Sequence, residues 1–239
     1  MTGNAITVEN VSFAYKTARV ITDCSVTLRQ GAFTFLMGPN GAGKTTLIKV
    51  MCGLLKAQCG TVTIDGTPLA VLTNRERARR IGVIEQDTSY LYPYTAEEVV
   101  LMGRYAHASF GMFESPEDEE KGHEAMRMTD TLKFRDRSVL TLSGGERRRV
   151  EIARVLAQEA DILLLDEPSS HLDIKQQREL FKLLRILNKE KGITLFIISH
   201  HLNFIREYGE QVFFMKDGKV SKIDNVDVLS AEDNLIKMF

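Results

Sequence analysis

The chain has 239 residues, of which 44% are hydrophobic and 26% charged, and its formal net charge at pH 7 is −1. This composition is typical of a soluble globular protein with one large α/β domain, or one domain with an inserted lobe, and it gives no general case for nucleic-acid binding. Since no apolar run approaches the ~20 residues that span a bilayer, and no secretory signal pattern is present, we expect a cytoplasmic protein.

The first β-type runs are short and comprise residues 6–11, 25–28 and 33–37. The dipeptide Gln30-Gly31 is a turn signal between the last two runs, so we predict that these two strands pair antiparallel. Tyr15 follows the first run. Its aromatic face could stack on an adenine ring, although an aromatic residue in this setting is more often a core or strand-edge residue.

Residues 38–45, Gly-Pro-Asn-Gly-Ala-Gly-Lys-Thr, fit the pattern G-x-x-x-x-G-K-[ST] between an apolar run and a helical segment. Glycines allow a tight turn that directs several N–H groups toward a polyphosphate, and the next helix adds the positive end of its dipole. Lys44 is expected to neutralise the β- and γ-phosphates, and the Thr45 hydroxyl to hold Mg²⁺. The alternative is a glycine-rich turn with a capping threonine. The predicted nucleotide contacts are Gly38, Pro39, Asn40, Gly41, Ala42, Gly43, Lys44, Thr45 and Thr46.

The helix after this loop is predicted to end near Gly53, and residues 60–66 are typical of another short strand. Residues 75–80 form a charged run, expected to be the solvated face of a short helix. An apolar run at residues 81–84 then leads to Gln86. Because α/β sheets place ligand contacts at the carboxyl ends of central strands, Gln86 is a candidate contact.

Between residues 89 and 141 the pattern changes to helices with explicit start signals. Capping sequences at residues 95–98 and 115–118 begin two helices. Residues 104–113, between these helices, are rich in apolar side chains that either face a partner or pack a small lobe. We predict that residues 89–141 are an inserted helical subdomain, and that the remainder forms the catalytic core with its β subdomain, residues 1–88 and 142–239.

Residues 143–146, Ser-Gly-Gly-Glu, are a capping box that opens a helix predicted to end at Ala157. The two glycines leave the N–H groups of the helix start open to an anion. Residues 147–149 are three arginines, which the helix dipole disfavours in a first turn. Two interpretations remain open here: an anion-binding helix start, or an ordinary capped helix followed by basic residues that promote solubility.

A buried strand is predicted at residues 162–165, and Asp166 and Glu167 follow it. In a doubly wound sheet these carboxylates lie beside the phosphate loop. Asp166 is expected to bind Mg²⁺, through water, as a second anchor beside Thr45, and Glu167 to orient and deprotonate the attacking water. A structural turn is the alternative. A helix at residues 174–189 comes next.

A further buried strand at residues 194–198 is followed by His200 and His201. A histidine at this strand end could hydrogen-bond a γ-phosphate oxygen, and we favour His200 because it follows the strand more closely. Residues 211–223 are typical of a β-hairpin with a two-residue turn, and residues 225–239 of a short helix.

In this order the motifs resemble the ATPase subunit of an ATP-binding-cassette (ABC) transporter, and the resemblance covers residues 6–223. Residues 142–146, Leu-Ser-Gly-Gly-Glu, resemble the family's signature sequence and lie between its Walker A (38–45) and Walker B (162–167) motifs. Further positions match family features: Tyr15 the adenine-stacking aromatic residue, Gln86 the glutamine loop, residues 170–173 the D-loop, and His200 the switch histidine.

The resemblance implies a P-loop NTPase (RecA-like) α/β core with an N-terminal antiparallel β subdomain and an inserted α-helical subdomain. It also implies that two copies of the chain sandwich two ATP molecules with Mg²⁺, each between the Walker A motif of one copy and the signature of the other. The site residues implied are Glu167, His200, Gln86 and Lys44 for catalysis, Ser143, Gly144, Gly145, Glu146 and Asp173 for nucleotide, and Thr45, Gln86 and Asp166 for the metal.

Further implied partners are integral-membrane permease subunits and, indirectly, a substrate-binding protein, at the cytoplasmic face of the inner membrane and without nucleic acid. Residues 99–105 and 169–174 look similar to ATPases of bacterial iron-siderophore, haem and cobalamin importers. Manganese or zinc importers share the Met-Gly-Arg-Tyr sequence and remain an alternative. Another is a soluble cassette ATPase acting on ribosomes, DNA or cluster assembly, although such proteins usually carry two cassettes or large insertions. His171 and His201 depart from the family pattern without removing a catalytic group.

Overall fold

The computed structural model describes residues 3–107 and 115–224. Its strands are β1 (Asn4–Tyr15), β2 (Ala18–Arg29), β3 (Phe33–Met37), β4 (Cys59–Ile64), β5 (Thr67–Pro68), β6 (Ile81–Ile84), β7 (Ile162–Asp166), β8 (Thr194–Ile198), β9 (Gln211–Lys216) and β10 (Lys219–Ile223). Its α-helices are α1 (Lys44–Met51), α2 (Asn74–Arg80), α3 (Ala96–Leu101), α4 (Pro116–Met128), α5 (Gly144–Ala157), α6 (Ile174–Lys191) and α7 (Leu202–Tyr208). The apolar run predicted at residues 104–113 lies partly outside the described residues, and the helix predicted at 225–239 lies wholly outside them.

The strands form two sheets. A four-stranded antiparallel sheet has the order β2-β1-β4-β5. A six-stranded sheet has the order β10-β9-β3-β8-β7-β6, in which all neighbours are parallel except the edge pair β10–β9. Every residue of β3, β7 and β8 is buried, as expected for parallel strands covered on both faces. The parallel arrangement brings the carboxyl ends of these strands to one edge.

The predicted antiparallel pairing of residues 25–28 with residues 33–37 is wrong. Strand β2 pairs instead with β1 along its whole length, from Arg29 opposite Asn4 to Ala18 opposite Tyr15. Strand β3 lies between β9 and β8 in the other sheet. The turn signal at residues 30–31 therefore marks the crossing between sheets. A strand that is apolar on both faces is more stable at the centre of a covered parallel sheet than in a sheet with one exposed face.

Among the residues that the structure describes, three apolar clusters form the core. The first fills the space between the two sheets and α1, and the second covers the opposite face of the large sheet with α5, α6 and α7. The third joins α3 and α4 to Val150, Ala153 and Ala157 of α5. The helical segment thus packs on α5, whose start lies close to that segment in the chain. The boundaries of a separate subdomain at residues 89–141 stay a prediction.

The predicted helix starts are confirmed by reciprocal capping hydrogen bonds at Thr95, Ser115 and Ser143. The predicted hairpin is confirmed as β9 and β10, joined by Asp217 and Gly218 with positive φ angles. Helix α4 ends at Met128, because Thr129 caps it and Asp130 turns to φ 56°. Within the two described ranges, no helix is both long and apolar enough to cross a membrane.

Candidate active site

Residues 38–45 connect the end of β3 to the start of α1. Gly38, Gly41 and Gly43 have φ angles of 148°, 82° and 103°, which side-chain-bearing residues rarely adopt. A Cβ atom at Gly38 would lie 2.0 Å from the Met215 carbonyl oxygen, and one at Gly43 would lie 2.8 Å from the Val20 carbonyl oxygen. The close approach of the β9 and β2 backbones therefore leaves no room for a side chain at positions 38 and 43.

Helix α1 begins without a side-chain cap at Gly43 and without an acidic residue in its first turn. Its first N–H groups and the positive end of its dipole are thus available to an anion. Lys44 is 7% exposed, and its Nζ donates hydrogen bonds to the carbonyl oxygens of Gly38 (2.7 Å) and Pro39 (2.9 Å). Burial lowers the pKa of Lys44, while Glu167 and Asp166 partly oppose that shift. Both hydrogen-bond acceptors of Lys44 are neutral carbonyl groups. A polyphosphate in the loop would supply a negatively charged acceptor in their place.

Thr45 and Asp166 meet although they are 121 residues apart in the chain. The Thr45 hydroxyl donates a hydrogen bond of 2.6 Å to Asp166 Oδ2. Burial raises the pKa of Asp166, the Thr45 hydrogen bond partly lowers it, and the charge of Glu167 raises it further. A hydroxyl and a desolvated carboxylate are hard oxygen donors of the type that Mg²⁺ prefers, so these residues fit a magnesium ion. Gln86 lines the same cleft as Thr45 and Asp166.

Glu167 follows β7 in a left-handed backbone conformation, with φ 42°. Its N–H donates to the Ile198 carbonyl oxygen of β8 (3.1 Å), and its Oε1 lies 3.0 Å from His200 Nε2. Both side chains are partly exposed at the edge of the sheet. His201 turns elsewhere, since its ring packs edge-on against Phe204 of α7. Of the two adjacent histidines, the structure brings only His200 to Glu167.

At the start of α5, the Ser143 side chain is used in capping hydrogen bonds, and two glycines without side chains follow it. The Ser143 hydroxyl accepts the Glu146 N–H at 3.3 Å, and Glu146 Oε2 accepts the Ser143 N–H at 2.9 Å. A Cβ atom at Gly144 would approach nothing more closely than Leu172, at 3.7 Å, and one at Gly145 would meet Gln176 at 3.2 Å. The nearest neighbours of this helix start thus belong to residues 171–176 and not to the phosphate loop. A nucleotide bound in the chain's own phosphate loop would therefore not contact the start of α5.

Two other candidate residues, Asp173 and Tyr15, lie outside the cleft that Thr45, Gln86 and Asp166 line. Asp173 caps α6, since its carboxylate accepts the Gln176 N–H at 2.8 Å, so it has a structural task within the chain. Tyr15 ends β1 and is 46% exposed, with the edge of its ring against Phe13. This exposure excludes the core alternative for Tyr15, whose strand pairs with β2 beside the phosphate loop.

Arg148 was missed by sequence reasoning, which assigned the arginines at 147–149 no partner and left open whether they follow an anion-binding helix start or promote solubility. It is 7% exposed and forms an ion pair with Glu151, from Nη1 to Oε2 at 2.7 Å. The same guanidinium donates to the carbonyl oxygens of Glu85 and Gln86, each at 2.8 Å. Burial raises the pKa of Glu151, and Arg148 partly opposes that shift. The spacing of Arg148 and Glu151, three residues apart on one helix, was the available indication of this pair.

Comparison with known proteins identifies a family. A family model described as "ABC transporter" matches residues 21–170, and one described as "AAA domain, putative AbiEii toxin, Type IV TA system" matches residues 135–206. The ferric enterobactin transport ATP-binding protein FepC of Escherichia coli (strain K12) is 40% identical over 212 residues, which covers 89% of this chain and 78% of FepC.

Solved structures give the same result. A putative metal-chelate type ABC transporter in an inward-facing conformation superposes with a TM-score of 0.86 at 25% identity, over 99% of this chain and 89% of the other. The dimeric post-hydrolysis structure of the ATP-binding cassette MJ0796, bound to ADP and Pi, superposes with a TM-score of 0.80 at 29% identity, over 92% and 99%. The predicted α/β P-loop NTPase fold is thereby confirmed.

Proposed function

Because this chain belongs to the family of ABC transporter ATP-binding proteins, we propose that it is the motor subunit of an importer for metal chelates of the iron-siderophore, haem or cobalamin class. The chain is an ATPase that acts as a dimer of cassettes. One observation carries the assignment of the ATPase site: Lys44, Thr45, Asp166 and Glu167 converge at the carboxyl edge of the parallel sheet. That edge is where open α/β sheets bind their ligands.

ATP binds with its phosphates in the loop of residues 38–45. The backbone N–H groups of the loop and of the start of α1 contact the phosphate oxygens. Lys44 Nζ exchanges the carbonyl oxygens of Gly38 and Pro39 for the β- and γ-phosphates, and thereby gains a fully charged partner. Tyr15 stacks on the adenine ring.

Thr45 and Asp166 hold Mg²⁺, with Gln86 at the same cleft. When bound, Mg²⁺ would supply positive charge that stabilises the phosphate oxygens while the bond between the β- and γ-phosphates is broken. The two oxygen donors that would hold the metal are already adjacent, because Asp166 Oδ2 accepts a hydrogen bond from the Thr45 hydroxyl. Buried in a cleft, the carboxylate gains stabilisation from a cation that it cannot obtain from water.

Hydrolysis uses the carboxylate that follows the strand. Glu167 hydrogen-bonds the attacking water and accepts its proton as the water oxygen bonds to the γ-phosphorus, and the bond to the ADP oxygen breaks to give ADP and phosphate. His200 Nε2 meets Glu167 in the nucleotide-free chain, and we assign His200 the contact to a γ-phosphate oxygen when ATP is bound. Residues 143–146 of a second copy close the site from the opposite side with the open N–H groups of α5.

The transported molecule and the location extend this proposal. FepC is named for ferric enterobactin transport, and the matched transporter structure is described as of metal-chelate type. By analogy the chain lies at the cytoplasmic face of the inner membrane, bound to permease subunits that receive their substrate from a binding protein. A manganese or zinc importer is the second candidate, because residues 102–105, Met-Gly-Arg-Tyr, also look like those of such importers.

Purification from membranes tests the proposal. We expect the chain to co-purify with an integral-membrane partner, and a deletion strain to lose growth on one chelated metal supplied as the sole source. Iron-siderophore, haem, cobalamin, manganese and zinc are compared side by side. ATPase activity that nucleic acid stimulates, in a chain without a membrane partner, would refute the transport assignment.

A further inference from the structure

Strand β6 forms one edge of the six-stranded sheet, so the outer backbone groups of this strand need partners from elsewhere. Side chains of α5 and of Gln158, the residue that caps its C-terminus, supply them. Gln158 Nε2 donates to the Ile81 carbonyl oxygen (2.8 Å), and Arg154 Nη2 donates to that of Val83 (3.0 Å). Arg148 Nη1 continues the series at Glu85 (2.8 Å), just past the strand end. The three accepting residues alternate, as groups on one side of an extended strand do.

Arg148 extends this series into the loop that carries Gln86. Its Nη2 donates to the Gln86 carbonyl oxygen at 2.8 Å, so one planar guanidinium holds two consecutive carbonyl groups. Glu151, which is 3% exposed, accepts from the same guanidinium and compensates its charge. Arg suits such a site because its donors lie in a rigid fork. The backbone on which the Gln86 side chain is mounted is therefore tied to α5.

The Gln86 loop borders two clefts. One is lined by Thr45 and Asp166, and the other by Gly144 at the start of α5 and by Leu172. Arg148 lies one helical turn after Gly144. It therefore connects the helix start proposed to face the nucleotide of the second copy with the loop that lines the metal cleft of its own chain.

We propose that Arg148, through its hydrogen bonds to the Glu85 and Gln86 carbonyl groups, is a positioning residue that holds Gln86 in the cleft beside Thr45 and Asp166. This inference rests on the proposed function, because it assigns Gln86 to the hydrolysis site. Arg148 touches no nucleotide itself. Its removal lowers the rate of hydrolysis and the apparent affinity for Mg²⁺, and leaves the binding of ATP to the phosphate loop intact.

The test uses the full-length chain and the variant Arg148→Gln. We expect kcat for ATP hydrolysis to fall about 10- to 100-fold, as for other supports of metal-site groups, with the KM for ATP within about twofold of wild type. The Mg²⁺ concentration for half-maximal rate should rise severalfold. Because the single change leaves the buried Glu151 carboxylate without its ion-pair partner, the double variant Arg148→Gln/Glu151→Gln tests the same loss without that uncompensated charge.

Arg149→Gln is the matched control, since Arg149 is the next residue of α5 and pairs with Glu179 on the surface. We expect it to retain wild-type kcat. A double-mutant cycle then separates positioning from general stability. Gln86→Ala removes the side chain but keeps the carbonyl group, so adding Arg148→Gln to it should change kcat less than about twofold.

A further tenfold loss in the Gln86→Ala background would overturn the inference, because Arg148 would then act through another group. The inference would also be overturned if Arg148→Gln hydrolysed ATP with the same kcat as the active wild-type chain. The proposed function would then still stand. If the wild-type chain hydrolyses no ATP, the proposed function and this inference fail together.

Discussion

The Nε2 atom of His200 lies 3.0 Å from Oε1 of Glu167, and the two residues follow the neighbouring parallel strands β8 and β7. The backbone N–H of Glu167 is also bonded to the Ile198 carbonyl oxygen at the end of β8. Glu167, the proposed general base, is therefore bonded through its backbone to the end of β8 and through its side chain to His200, the proposed phosphate contact. A movement of His200 toward the nucleotide would act directly on the base.

Glu167→Gln is expected to bind ATP normally and to lose nearly all turnover, because the amide keeps the size of the side chain but cannot accept a proton from water. The nucleotide-bound dimer should then accumulate. Steady-state hydrolysis and size-exclusion chromatography with ATP measure the two effects. Glu190→Gln, an exposed change near the end of α6, is the control. Hydrolysis at the wild-type rate in Glu167→Gln would refute the assignment of the base.

Lys44→Ala is expected to weaken ATP binding at least about tenfold, because it removes the charge-assisted hydrogen bonds to the phosphates. In the nucleotide-free chain the substitution also leaves the carbonyl groups of Gly38 and Pro39 without this donor. Isothermal titration calorimetry measures the affinity, and Lys182→Ala, an exposed lysine of α6, should bind as wild type. Equal affinities in the two variants would contradict the role of Lys44.

Ser143→Arg is expected to leave ATP binding to the monomer intact and to block both dimer formation and hydrolysis. The long side chain would occupy the space in front of the α5 N-terminus where we place the partner's nucleotide. Ser143→Ala is the comparison. It loses the capping hydrogen bond, worth about 1 kcal/mol, but adds no bulk, so its hydrolysis should fall much less. Normal hydrolysis by Ser143→Arg would argue against a composite site.

Gly38→Ala is expected to destabilise the fold by more than about 2 kcal/mol, because strain at φ 148° adds to the clash of a Cβ atom with the Met215 carbonyl oxygen. Gly41→Ala serves as the control. Its φ is also positive, but a Cβ atom there would meet nothing within 4 Å, so about 1 kcal/mol is expected. Urea unfolding of the nucleotide-free variants measures both, and equal losses would show that the close approach of β9 is unimportant.

Asp166→Asn is expected to stabilise the nucleotide-free chain at pH 7.5 while it abolishes Mg²⁺-dependent hydrolysis. Burial raises the pKa of Asp166 in the folded state above that in the unfolded state, so its contribution to stability is complete at low pH and is lost as pH rises through the folded-state pKa. The gain in Tm should therefore shrink toward pH 5. Asp161→Asn, an exposed change before the same strand, should show no such trend. A wild-type chain more stable than Asp166→Asn at pH 7.5 would contradict this.

Features of this protein that depend on neighbouring residues in the chain could be predicted from its sequence. The phosphate loop, the capped helix starts at Thr95, Ser115 and Ser143, and the buried strand that ends at Asp166 depend on interactions among residues close in the chain. Glycine conformations, capping hydrogen bonds and apolar runs each have a short-range signature. The order of motifs then indicated the family, and that family is confirmed.

Other features were decided only by tertiary structure. The sheet to which β3 belongs, the contact of His200 with Glu167, the exposure of Tyr15 and the burial of Arg148 all depend on residues far away in the chain. The residues around Arg148 are charged, so the local sequence predicts that this side chain is exposed. Arg148 is buried because the loop that carries Gln86 packs beside α5, where the guanidinium donates to its carbonyl groups. Burial and strand pairing are set by the sum of long-range contacts, which no local pattern contains.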